Sequence, residues 1–518
     1  YAEEFFGGNA GGVMLDRTAA EIFRTPLDEL VLQVCLFWEM ATSSSSMVTN
    51  GDDEGRRRRR RGRGMSPIAF LNGAPEPPHP SKVWHACCHL REVGALRLVI
   101  PPPSEGNIAS TDHDQALFRL TPLGYHLAQL PVDAKVGKIL LVGCILGCTE
   151  PALTIAAALS HSKSIWLNYL PSSSSRGNDG TTNTSKAQSR EMAAKRHREL
   201  ILSIVNGSGG GTTATVVHRA DTIATVVAYD AWTSRSTRKD RKLFAATHAL
   251  DHGVLWEMNR LREQFRDCLV AADFLPPRVH RRDGGANGDE SLSPLSIVDD
   301  ETTLLLATAC LVAGLYPNVA TLVRPNKEKR IRGRRLLTKD VAGGETCLPD
   351  FSSFQRDRVK NASEVGKDVY AVYHGTHRSV NPAGFETPRQ GGRSMGTHRG
   401  GSTPPSSSCL LLSEVNFVSR LALLLFGGGE MDVRDDGALV VDDWLKFKVG
   451  SERSGYDAGG LLIRELRVEL ERVLLRRIVG KCDDDDDNNG LSSDKGGAVS
   501  LQQQKRVMHI VKTLLLEG

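Results

Sequence analysis

Phosphate chemistry is the first thing to look for in this 518-residue chain, and the Gly-Lys pairs are where it would sit: Gly137-Lys138, Gly366-Lys367 and Gly480-Lys481. A phosphate loop needs Gly-x-x-x-x-Gly-Lys followed by Ser or Thr, so that backbone amides cradle the phosphate and the hydroxyl reaches magnesium. Here the next residues are Ile139, Asp368 and Cys482, and none of the pairs can be that loop. Leu439-Val440-Val441 before Asp442-Asp443 mimics a strand-borne magnesium site, but without a phosphate loop it reads as a strand ending in a turn. His85 and His89 lie at i and i+4 beside Cys87 and Cys88, and His248 and His252 repeat the spacing. Neither set has the partners a zinc site needs, so both read as structural. Asp483–Asp487 lacks the glycine and spaced ligands of a calcium loop and reads as a solvated acidic linker.

The remaining chemistry is cationic. Arg56–Arg61 with Arg63 is one dense run, and Lys327, Lys329, Arg330, Arg332, Arg334 and Arg335 form a second. Such runs neutralise phosphates and release counterions. The first reads as a disordered insertion; the second, between a helix and strands, reads equally as a groove-facing or a solvated loop. A net charge of +4 permits nucleic-acid binding without requiring it, since local clustering sets the field.

The elements that would position these groups are legible in the patterning. Segments 42–64, 171–190, 276–293, 387–408 and 482–498 are too polar to offset the entropy of ordering and read as loops or insertions. Helices are expected over 20–41 and 81–95, with a hairpin from Leu96–Val99 and Leu117–Leu120. Residues 121–275 read as helix after helix, with Gly137–Cys148 and Pro151–Leu159 apolar nearly all round, as helices at the centre of a bundle must be. Further helices are expected over 191–205, 221–232 and 243–269. Thr302–Gly314 is one more, after which Val319–Val323, Val369–Tyr373, Leu410–Leu412 and Leu439–Val449 alternate like the strands of a small barrel. Leu461–Ile478 is a last amphipathic helix. The longest apolar stretch, Ile139 to Leu159, is broken by Glu150-Pro151 and is not a membrane span. Ten scattered cysteines without paired spacing suit a reducing compartment, nucleus or cytoplasm. Tyr1 in place of Met leaves room for upstream residues.

Four stretches carry a family resemblance. Phe23-Arg24-Thr25-Pro26-Leu27-Asp28-Glu29-Leu30 resembles the segment leading from a helicase motor into a winged helix. Leu120-Thr121-Pro122-Leu123-Gly124, Leu130-Pro131-Val132-Asp133, Gly137-Lys138 and Pro151–Leu159 are similar to a helicase-associated ratchet-like bundle. Ala313-Gly314-Leu315-Tyr316-Pro317-Asn318-Val319 resembles the start of a terminal oligonucleotide-binding barrel, and Leu421–Gly428 with Trp444-Leu445-Lys446-Phe447 its closing part. In order, these stretches resemble the C-terminal region of a DEAH-type RNA helicase of the RNA helicase A-like group.

The resemblance implies an α+β multidomain chain without a RecA-like motor. Residues 1–19 would end the motor linker, 20–120 form the winged helix, 121–275 the ratchet bundle, 276–300 a linker, 301–480 the barrel and terminal helix, and 481–518 an acidic linker and tail. It implies single-stranded RNA, or DNA, as partner, and RecA-like motor domains in cis or in trans. ATP and magnesium would belong to the parent helicase, with no cofactor and no catalytic residue in this chain. Residue by residue it points to His218 and Asp221 before Ala228-Tyr229-Asp230-Ala231-Trp232, and to His248 where the family has asparagine. In the barrel it points to His374, Arg378, Ser379 and Asn381, in a strand end two residues longer than the family's, alongside Arg330, Arg332, Arg334 and Arg335. The alternatives are a stand-alone RNA-binding or scaffold protein that lost its motor, and a gene product whose biased insertions are translated intron.

Overall fold

The computed structural model describes residues 20–44, 64–99, 116–168, 183–207, 217–277, 301–323, 335–339, 347–350, 352–356, 359, 369–379, 409–434, 438–448, 458–480 and 501–517. Arg56–Arg61, Arg330, Arg332, Arg334, Asn381 and the acidic run lie outside them. The chain divides into two compact units, Tyr1–Ala134 and Lys135–Gly518.

In the first unit, helix α1 (Asp28–Ser44) packs against α2 (Pro67–Leu71), α3 (Pro80–Val93) and α4 (Pro122–Gln129). Proline opens α2, α3 and α4, where its missing N–H costs nothing. Gly94, at φ 90°, ends α3. Strands β1 (Leu96–Val99) and β2 (Leu117–Leu120) pair antiparallel with Leu96 opposite Leu120. Thr121 ties the helices to the ladder: its hydroxyl donates to the Gly94 carbonyl at 2.7 Å and accepts from Gly124 N at 3.0 Å. Val31, Val83, Cys87, Leu90, Val93 and Phe118 fill the core. Within this unit His89 pairs with Asp28 at 3.2 Å. The expected helix over 20–41 is split: a turn over Glu21–Arg24 precedes α1, because Pro26 disfavours helix at the residue before it.

The second unit is built on α5 (Ala134–Leu146) and α6 (Thr149–Ser160). Their side chains are buried all round, Ile139, Leu140, Leu141, Leu153 and Ile155 almost completely. Around α6 pack α8 (Asp221–Thr233), α10 (His252–Ala271) and α11 (Glu301–Leu315), with α7 (Asn183–Gly207) on α8 and α9 (Arg238–Thr247) between α8 and α10. Two boundaries differ from expectation. Helix α7 begins at Asn183, inside the stretch 171–190 taken as insertion, since Lys186, Ala187, Gln188 and Arg190 are good helix formers. The single helix expected over 243–269 is two, because Ala249 turns the chain at φ 55° and Asp251 caps α10 by accepting from Gly253 N and Val254 N.

Glu150, on the first turn of α6, binds Arg262 at 2.7 Å and also Arg266, both on α10. Arg262 lies over the Tyr229 ring, 4.8 Å from its centroid, and Tyr229 Oη donates to Asn259 Oδ1 at 2.7 Å. Removing the carboxylate strands two largely buried guanidiniums. Glu150→Ala is therefore expected to cost about 2 kcal/mol, less than a fully buried pair because Glu150 keeps partial exposure. Urea unfolding measures it, and a cost below about 0.5 kcal/mol would show the pair to be idle.

Among the described residues the strands of this unit form three sheets. One is ordered β4 (Arg335–Thr338), β3 (Val319–Val323), β6 (Tyr370–Val372), β9 (Asn416–Val418). A second is β5 (Leu348–Pro349), β8 (Cys409–Ser413), β7 (Gly375–Ser379). Among the described residues no single sheet closes on itself, so the ladders alone do not show the small barrel expected over 301–480. Ala320, Leu336, Cys347, Leu348, Ala371, Tyr373, Leu411, Leu412 and Phe417 nonetheless share one core. Helix α12 (Arg420–Phe426) packs on α11. The run over 439–449, expected to turn at Asp442-Asp443, is a hairpin: in the third sheet β10 (Met431–Val433) pairs with β11 (Ala438–Val441), and β11 with β12 (Leu445–Lys448) across a turn where Asp442 and Asp443 take φ 50° and 63°. Helix α13 (Ala458–Val479) packs on α12, and α14 (Leu501–Glu517), inside the expected tail 481–518, packs on α11 and α13. The described helices and strands from Lys135 onward fall in one compact unit. Among the described residues no helix is long and apolar enough to cross a membrane.

Candidate nucleic-acid interface

Helix α8 meets the strands at its first turn. Ala220 bridges Asn416, and Asp221 N donates to the Val415 carbonyl at 3.2 Å. Thr222 N donates to Asn416 Oδ1 at 2.9 Å, and Asn416 Nδ2 donates back to Thr222 Oγ1 at 3.0 Å. Asp221 closes the junction by accepting from Ser353 Oγ (2.6 Å), Val415 N (3.0 Å) and Phe354 N (3.1 Å), with Gln355 Nε2 at 3.5 Å.

Beside this junction lies a cleft of about 510 Å³. One wall is the loop after α6, with Ser160, His161, Ser162, Lys163 and Ser164; the other is Ser352–Phe354, His374 and Ser413, and Asp221 and Glu414 reach its floor. A neighbouring cleft of about 560 Å³ shares Trp166, Asn168, Asp350, Ser352, Ser353 and Phe354 and adds Arg190, His197, Arg198 and Arg356. Trp166 and Phe354 meet edge-on where the clefts join, 4.9 Å between centroids, and His197 lies 5.0 Å from Trp166. Trp166 is held from behind: its Nε1 donates to Thr225 Oγ1 at 3.0 Å. Hydroxyls and cations along a groove, interrupted by aromatic rings, are what a nucleic-acid backbone requires.

Burial pushes the Asp221 carboxyl up to about 6, against the hydrogen bonds it accepts. Glu414 rises to about 8, first through burial and then through the nearby Asp221 charge. Both groups bind their proton more tightly folded than unfolded. The stability they contribute is therefore present at low pH and lost as pH rises, from 4.5 to about 8 for Glu414 and from 3.8 to about 6 for Asp221. The stability of the protein relative to Glu414→Gln should fall between about pH 5 and about pH 8, in urea melts at each pH. A pH-independent difference would contradict the assignment.

The residues named from sequence do not all converge. Asp221 and His374 meet at the first cleft. His218 is exposed, and its carbonyl accepts from Gln355 Nε2 at 3.1 Å. His248 caps the end of α9, its ring tilted against that of Phe244 at 4.6 Å, and burial followed by Arg235 and Arg196 lowers its pKa. It lines neither cleft. Arg378 is exposed on β7; Ser379 ends that strand opposite Cys409, and Arg335 opens β4 opposite Val323. The loop Ser160–Asn168 was missed. Its signal, three serines and a lysine ahead of a tryptophan, is one that any solvated loop could give.

The family described as "Helicase associated domain (HA2), ratchet-like" matches residues 133–205, which take in most of α5 to α7. DHX57 of Mus musculus, named an ATP-dependent RNA helicase, is 26% identical over 415 residues, 78% of this chain and 24% of its own length. The ATP-dependent DNA/RNA helicase DHX36 of Mus musculus is 25% identical over 479 residues, 91% of this chain and 35% of its own. The ATP-dependent RNA helicase dhx29 of Xenopus laevis is 24% identical over 417 residues, 80% of this chain and 23% of its own. The chain thus spans about a quarter to a third of the length of these relatives, and it resembles the C-terminal region of a DEAH-type helicase.

Proposed function

We propose that this chain is the RNA-gripping accessory part of a DEAH-type ATP-dependent RNA helicase, holding single-stranded RNA by its backbone in the paired clefts beside α8. The observation that carries the reading is the convergence on one groove of Lys163, Arg190, Arg198 and Arg356, the serine-rich loop and the Trp166–Phe354 pair. Helical and strand segments both contribute, so neither part makes the groove alone.

The pairing order supports an oligonucleotide-binding barrel. Strand β3 pairs antiparallel with β4 and β6, β7 pairs with β8, and β5 runs parallel to β8. A single bridge, Leu336 to Cys347, joins β4 to the residue before β5. Only Tyr373 and His374 separate β6 from β7, so the pairs can be followed around a ring. In the first unit, helices followed by a two-stranded ladder support a winged helix. ATP and magnesium would be handled by motor domains in cis or in trans, since no phosphate loop occurs in this sequence. The mostly buried free cysteines fit a reducing compartment.

Purified chain should bind a single-stranded RNA with affinity that falls as salt rises. Each phosphate contact contributes about 0.7 to the log–log slope. Lys163→Ala with Arg198→Ala should flatten it by about 1.4. Replacing Arg330, Arg332, Arg334 and Arg335 with alanine tests the second cationic run in the same assay. An unchanged slope in the first variant would remove the clefts from the contact surface.

A further inference from the structure

Two carboxyl groups from distant segments share the floor of the first cleft, and the donors around them are unequally divided. Asp221 receives two backbone N–H groups and the Ser353 hydroxyl at 3.1 Å or less, an environment made for a carboxylate. Glu414 Oε2 has one long contact, from Thr222 Oγ1 at 3.4 Å. Glu414 sits in the turn between β8 and β9 at φ 49°, a left-handed conformation that glutamate rarely adopts. That turn brings Glu414 to the cleft while its neighbour Val415 N binds Asp221.

The charged groups facing Glu414 come from each surrounding segment. Asp221 comes from α8 and Asp350 from the end of β5; His161, Lys163 and His374 line the same cleft. The two whose charges act on Glu414 are both acidic. Two carboxyl groups in one poorly solvated pocket do not both ionise readily, and the one with fewer donors keeps the proton.

We propose that Glu414 stands in the cleft as a neutral carboxylic acid and donates a hydrogen bond to a phosphodiester oxygen of the bound strand. This rests on the reading of the cleft as an RNA-backbone site and adds to it a pH-gated contact. Asp221 remains the internal acceptor that holds the turn. Burial and the neighbouring acids put the loss of the Glu414 proton at about 8, so the donor is present at neutral pH. Above that point the cleft gains a second negative charge directed at phosphate, and the contact turns repulsive.

The test is the affinity of the full chain for a single-stranded oligoadenylate between about pH 7 and about pH 9.5 at fixed salt, a range in which the phosphodiesters stay ionised. The parent chain should lose up to about tenfold per pH unit above the titration point. Glu414→Gln, whose amide can still donate, should flatten that loss while binding more weakly than the parent at neutral pH. Glu414→Ala should be flat and weaker still, by about tenfold at pH 7. A melting curve on each variant separates lost contact from lost fold. In the ligand-free chain, the infrared carbonyl band of a protonated carboxyl should be present at neutral pH and missing from Glu414→Gln. Should the parent profile be flat, or Glu414→Gln retain its slope, while Lys163→Ala still weakens binding, the proton proposal fails and the cleft reading stands. Should Lys163→Ala and Glu414→Ala both leave RNA affinity untouched, the cleft reading fails and takes this contact with it.

Discussion

Asp221→Ala is expected to lose about 3 kcal/mol of stability and to loosen the cleft with it. The carboxylate accepts from Ser353 Oγ, Phe354 N and Val415 N, all from the strand region, on a residue that is 5% exposed. Truncation leaves two buried backbone donors without an acceptor, at about 1–3 kcal/mol each. The carboxyl's own cost of burial offsets part of that loss. Asp221→Asn keeps the shape but turns a donor toward donors, and should fall between the two. Urea unfolding gives the stability, and RNA affinity of the still-folded fraction gives the consequence for the cleft. A loss under about 1 kcal/mol would show that the junction does not depend on this carboxylate.

Gly314→Val should be about as damaging, for a steric reason. Helices α5 and α11 approach so closely at Gly314 that an added Cβ would lie 2.2 Å from Ile139 Cγ1 and 2.8 Å from the Lys135 carbonyl. The side chain of Ile139 can move; the carbonyl moves only with its helix. Overpacking of this kind costs about 3 kcal/mol when the backbone must shift. Pairing Gly314→Ala with Ile139→Ala should therefore recover only part of the loss. Full recovery would mean that the side chain alone was the obstacle.

What the sequence made legible follows from the range of the interactions involved. The buried helices α5 and α6 announced themselves because a helix apolar on every face has nowhere to go but the centre of a bundle. Thr121-Pro122 marked the start of α4 because a side-chain cap and a proline act within one turn. The strands at 319–323 and 409–413 were visible as β-branched or leucine-rich runs. Of the hairpin within 439–449, the turn at Asp442-Asp443 was visible as the end of a strand; the antiparallel return of β12 was not, since two aspartates in left-handed conformation, not glycine or asparagine, make that turn. Helix α14 was passed over because it follows a long polar stretch, although Val507, Met508, Val511 and Leu515 mark one buried face.

The site was harder to read for the same reason. Asp221 was named as a contact for RNA; in the structure its oxygens are engaged by residues 132 to 194 positions away. No local pattern encodes such partners. Trp166 could not be told from a core tryptophan until Thr225, 59 residues on, fixed its ring against Phe354. Glu414 carried no signal at all, because its environment is set by Asp221 and Asp350 from elsewhere in the chain.

The most direct measurement is photocrosslinking of a single-stranded RNA to the purified chain, with the modified peptides identified by mass spectrometry. Adducts on Ser160–Asn168 and Ser352–Arg356, reduced by excess unlabelled RNA, are the predicted result. Specific crosslinks confined to other segments, with both of these peptides clean, would contradict the assignment of the groove beside α8 as the place where RNA is held.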